Sequence, residues 1–147
     1  MDEQRKKGLE KMNEVYGWEM PNIEGDPYFD LTVDHLFGSI WSRPGLSMRD
    51  KRLLTLAAVT AQGRQDLGEV QVNAALFNEE FTEDELKEVA IFLTQYVGFP
   101  LGSGLNGTVS KVVAKRRKAA EKGMGEDKLA NVNAAVKMNT GSQLDDE

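Results

Sequence analysis

The chain has no cysteine and a single histidine in 147 residues. The first absence removes disulfides, thiolate metal sites, thiol nucleophiles and dithiol redox couples. The second leaves no partner for a histidine-based metal centre, so no metal is expected. Long hydrophobic runs are missing too. No stretch approaches the roughly 20 apolar residues that span a bilayer, and the N-terminal MDEQRKKGLEK carries no apolar signal region. A cytoplasmic protein without membrane contact is therefore expected.

Basic residues are outnumbered, 18 against 24 acidic, and the net charge of −6 opposes nonspecific attraction to nucleic acid. The basic run KVVAKRRKAAEK (Lys111 to Lys122) spaces its charges around Val112, Val113 and Ala114 as a solvated helix face does. At this length one domain is expected, with a core that needs neither disulfide nor metal. Residues 1–122 read as that helical domain and 123–147 as a C-terminal tail, in which only Leu129, Val132 and Val136 form a weak amphipathic set.

Apolar periodicity predicts an all-α fold of about six helices. Glu3 to Tyr16 carries Leu9, Met12, Val15 and Tyr16 at helical spacing, and a loop broken by Gly17, Pro21, Gly25 and Pro27 follows. Phe29 to Trp41 repeats Phe29, Val33, Leu36, Phe37 and Ile40. Ser47 to Gln62 opens with a capping serine and reads as an apolar, central helix. Asp66 to Phe77 offers a stripe of Leu67, Val70, Ala74 and Phe77. Thr82 and Glu85 form a capping-box pattern for a helix through Val97, with Leu86, Val89, Ala90 and Leu93 inward. The glycine-rich VGFPLGSGLNGT that follows reads as a connection to the last helix. Its glycines suit close helix approach and are too irregular for a phosphate-binding fingerprint.

FGSIWSRPGL (Phe37 to Leu46) joins one amphipathic segment to the next helix through a turn no regular element tolerates. Pro44 fixes its own φ, pushes Arg43 out of the helical region, and Gly45 permits the reversal. The Arg43 guanidinium, beside Trp41, is thus set on a stiff turn, suited to a carboxylate ligand or to an ion pair with a neighbouring helix.

This turn, with the RDKRLLTLAA that follows, resembles the carboxymuconolactone decarboxylase family, whose members share the alkylhydroperoxidase D-like helical fold. The resemblance runs from about Leu9 to Lys115. Thiol-dependent relatives carry a Cys-x-x-Cys pair near a helix start, where this chain has Arg64 and Leu67, so peroxidase chemistry is excluded. The resemblance implies cofactor-free loss of carbon dioxide from a small lactone acid, in a homotrimer or homohexamer. Such a reaction needs an anchor for the retained carboxylate, a donor for the developing enolate and a proton source. A firm clamp on the departing carboxylate would stabilise the ground state and give nothing.

Arg43 and Trp41 suit the anchor, and Gln95 and Tyr96, before the Gly-Phe-Pro segment, suit hydrogen bonding to a ligand, although Tyr96 reads equally as a core tyrosine. Gln71 stands where the resemblance implies a histidine, and glutamine cannot exchange a proton near neutral pH. His35, six residues before Trp41, is the remaining candidate acid or base, with a structural role as its alternative. The catalytic candidates are thus His35 and Gln71, the latter through a held water. Two classes follow: a decarboxylase-like enzyme acting on a small organic acid or lactone, and a noncatalytic binding oligomer that has lost the family's histidine.

Overall fold

A computed structural model describes residues 1–123 of the protein; the tail residues Leu129, Val132 and Val136 lie outside the described residues. Within them there are six α-helices, one π-helical segment and no strand: α1 (Glu3–Tyr16), α2 (Pro27–Asp30), the π segment (Leu31–Ile40), α3 (Met48–Ala61), α4 (Gln65–Phe77), α5 (Glu83–Val97) and α6 (Phe99–Glu121). The all-α expectation holds. No described helix is long and apolar enough to cross a membrane.

Local chemistry sets most of the boundaries. Asp2 caps α1, and Gly17 ends it in the left-handed region at φ 65°. Ser47 caps α3 by accepting from the Asp50 amide at 3.0 Å. Thr82 and Glu85 close both halves of the capping box at the start of α5. Gly63, at φ 70°, reverses the chain between α3 and α4.

Four readings need correction. Phe29 to Trp41 is not one α-helix: after α2 the backbone takes i→i+5 bonding, as when the Trp41 amide donates to the Leu36 carbonyl at 2.8 Å. The wider turn keeps Phe29, Val33 and Phe37 buried and leaves Leu36 and Ile40 exposed. The glycine-rich segment is not a connection beyond Gly98; it is the first half of α6, and Pro100 lies in its first turn, where a missing amide proton is harmless. α3 is not apolar all round, since its buried residues are Arg52, Leu56 and Thr60 while Leu54 is exposed. The buried stripe of α4 is Gly68, Gln71, Val72 and Ala75, with Ala74 beside it, so Leu67, Val70 and Phe77 are only half-buried.

Two apolar clusters result. One joins Leu56, Val72, Ala75, Phe81, Leu86, Ala90, Leu105 and Val109 from α3 to α6. The other joins Leu9, Met12, Val15, Trp18, Phe29, Val33 and Phe37 from α1 to the π segment. Helix α1 lies against the π segment at close range, because a Cβ on Gly8 would fall 2.1 Å from the Val33 carbonyl oxygen. The Arg5 guanidinium fastens α1 to both α2 and the π segment by bonding Asp30 and Asp34, which raise its pKa.

Helices α5 and α6 form an antiparallel hairpin about Gly98, tied at its far end by Arg117 to Glu83 at 2.8 Å. A Cβ at Gly102 would meet Thr94 Oγ1 at 1.9 Å and Thr94 Cα at 2.8 Å, whereas one at Gly107 has nothing within 4 Å. Gly102→Ala should therefore cost about 1–3 kcal/mol in urea unfolding through overpacking. Gly107→Ala should be neutral or stabilise by up to about 1 kcal/mol through helix propensity.

Candidate functional site

The turn after the π segment is held from below by one lysine. Lys51, in the first full turn of α3, donates from Nζ to the carbonyl oxygens of Trp41 at 2.7 Å and Arg43 at 2.6 Å. Ser42 donates back to the Phe37 carbonyl at 2.7 Å, and the Trp41 ring stacks on Phe37 with centroids 6.2 Å apart. The carbonyls on either side of Ser42 are both engaged, so Arg43 starts from a fixed backbone.

Between this turn and α1 lies a groove of about 420 Å³, lined on the turn side by Trp41, Arg43, Leu46 and Lys51 and on the helix side by Lys7, Glu10, Lys11 and Glu14. It combines an indole ring and an aliphatic side chain with cations on both walls. Chemically, an indole face beside a guanidinium complements a ring that carries a carboxylate.

Behind Trp41 is a buried polar network that the sequence reading missed. Arg52 has no exposed surface. Its Nε donates to Glu80 at 2.8 Å, Nη1 to the Gln71 side-chain oxygen at 2.5 Å, and Nη2 to the Val15 carbonyl at the end of α1. The guanidinium also lies 6.0 Å from the Trp41 ring centroid. Glu80 is nearly as buried, 8% exposed at the side chain, and the positive-φ residue before it, Glu79 at 54°, turns the chain so that it points inward. Burial pushes the nearby Tyr16 phenol above its ordinary range, with the Arg52 charge opposing that shift. A signal was available in the sequence: Arg52, Leu56 and Thr60 share one helical stripe, and a charge on a core-facing stripe needs a partner.

The six residues singled out from the sequence do not converge. Trp41 and Arg43 share the groove. Gln71 is buried and connects to Trp41 through Arg52, its oxygen already accepting a hydrogen bond. His35 is exposed on the π segment and does not line the groove. Gln95 is exposed and donates to the Ile91 carbonyl at 3.2 Å within its own helix. Tyr96 is 79% exposed and pairs with Phe92, centroids 5.4 Å apart, so it is not a core tyrosine in this chain.

At the start of α4, Arg64 pairs with Asp66 at 2.7 Å and pulls its carboxyl down to about 2. A crevice of only about 20 Å³ opens there among Thr60, Gly68, Leu105 and Thr108, room for about one water.

The sequence model of the carboxymuconolactone decarboxylase family matches residues 26–101. The 4-carboxymuconolactone decarboxylase of Acinetobacter baylyi is 37% identical over 107 residues, covering 67% of this chain and 79% of that protein. No solved structure matches the chain significantly. The matched stretch holds the turn, α3, α4, α5 and every side chain of the Arg52 network; α1, which supplies the Val15 carbonyl, lies outside it.

Removing one member of a buried ion pair strands the other charge. Glu80→Ala should lower unfolding free energy by about 3–5 kcal/mol, read from urea titration, while Glu83→Ala, at an exposed pair, should cost under about 1 kcal/mol.

Proposed function

The chain belongs to the carboxymuconolactone decarboxylase family, and from that premise we propose that it is an enzyme releasing carbon dioxide, without a cofactor, from a small lactone or ring acid bound in the Trp41–Arg43 groove. The observation that carries this reading is a guanidinium and an indole held on a backbone that Lys51 immobilises, opening on a groove of about 420 Å³. A fixed site binds without ordering its own backbone first, which favours affinity and a defined pose.

In this reading Arg43 holds the carboxylate that the substrate keeps, and Trp41 carries the ring. The departing carboxylate is left without a bidentate partner, as a decarboxylation requires. Proton return to carbon is assigned to His35, the chain's one imidazole, acting through solvent because it does not line the groove, or to water near Gln71. Gln95 and Tyr96 do not line this groove and are given no part in holding the substrate there. The bundle is read as alkylhydroperoxidase D-like and cytoplasmic, in a homotrimer or homohexamer; Phe92, Tyr96 and Phe99, exposed on α5 and at the start of α6, support self-association.

A second reading has its own support. Gln71 has no group that titrates near neutral pH, and its oxygen is occupied by Arg52. A member of the family that binds the acid and leaves it unchanged would look the same at this position.

Carbon dioxide release and ultraviolet loss of 4-carboxymuconolactone, with purified protein, separate the two. The enzyme reading expects turnover. It also expects Arg43→Ala to lower kcat/KM at least about tenfold, the worth of a charge-assisted hydrogen bond. His35→Gln should lower kcat by about 100-fold or more, with stability within about 1 kcal/mol of the parent. No turnover, with a ligand-dependent rise in Tm, would replace it with the binding reading.

A further inference from the structure

The groove has two walls of different origin. Its turn wall lies within residues 26–101, matched to the family, and its other wall is the outer face of α1, which lies outside that match. Charge is distributed unevenly across them. Lys7, Lys11, Arg43 and Lys51 face Glu10 and Glu14, a surplus of two positive charges inside a protein whose net charge is −6. Lys11 is occupied by Glu14 at 2.9 Å, and Lys51 by the two turn carbonyls. Among the described residues, Lys7 and Arg43 make no side-chain hydrogen bond or ion pair. One uncommitted cation therefore stands on each wall, with Trp41 and Leu46 between them.

From this we infer that Lys7 of α1 is a specificity-determining contact, reading a second anionic group on the ligand that Arg43 anchors. The inference rests on the groove reading above and adds to it a residue from outside the matched stretch. The two cations differ in kind. Arg43 offers a planar, two-pronged donor on a fixed backbone; Lys7 is an exposed point charge on a flexible stem. Arg43 fixes the pose, and Lys7 selects dianions over monoanions without clamping the second group. That division suits a groove where one anionic group must stay and another must be free to leave. Glu10, three residues along α1, sets the limit: it disfavours an anion that slides further along the helix.

Isothermal titration of the full chain with furan-2,5-dicarboxylate and furan-2-carboxylate tests this without requiring turnover. The parent protein should prefer the diacid, and Lys7→Gln should weaken diacid binding about fivefold, the upper range for an exposed ion pair, while changing the monoacid less than twofold. Arg43→Gln should weaken both acids. Equal weakening of both acids by Lys7→Gln, or no change in either, overturns the Lys7 contact while leaving the groove standing if Arg43→Gln still weakens both. No binding by the parent, or binding indifferent to Arg43→Gln, overturns the groove reading and the contact with it. Unchanged melting of Lys7→Gln is expected, since the side chain is exposed and makes no bond to lose.

Discussion

A guanidinium without any solvent exposure must be answered on all sides, and Arg52 is answered by four different parts of the chain. Glu80 comes from the turn between α4 and α5, Gln71 from α4, the Val15 carbonyl from the last turn of α1, and the Trp41 ring from the turn after the π segment. The two apolar clusters meet around it. Cluster packing alone would let α1 and the π segment slide against the rest of the bundle, because apolar contacts are nondirectional. Hydrogen bonds to one fixed cation are directional, and they set where the second cluster sits. The turn that carries Arg43 inherits its position from that arrangement.

What could be read from the sequence follows from how local its cause is. The caps at Ser47 and Thr82 and the end of α1 at Gly17 are decided within a few residues, and the structure agrees with them. The π segment was not legible, since Phe29, Val33 and Phe37 fit an α-helix and a wider helix equally well. The glycines from Gly98 to Gly107 suggest irregular backbone, yet most lie in α6, where tertiary contact overrides propensity: Thr94 occupies the space a side chain at Gly102 would need, and the Gln65 amide that at Gly104.

The site divides the same way. Trp41 and Arg43 are five residues or fewer from the elements that hold them, apart from Lys51, and their grouping was visible. The opposite wall of the groove comes from Lys7 and Glu10, more than thirty residues earlier in the chain. Gln71 was identified by its position, but its chemistry depends on Arg52, nineteen residues away on another helix. An amide beside a permanent cation is a stable pairing: it presents an acceptor at every pH, whereas an imidazole there would have to remain neutral to accept the same hydrogen bond.

Helix α1 touches both halves of this design, and Gly8 is where it touches most closely. Every other amino acid begins with a carbon where the Val33 carbonyl already stands. Exposed residues of α1 such as Lys7 and Glu10 make no such contact, so one charge can replace another there without disturbing the packing. Position 8 has no such latitude. The helix therefore behaves like a dial on a fixed spindle: the charges on its rim can be exchanged by substitution, provided the glycine at its bearing is left alone.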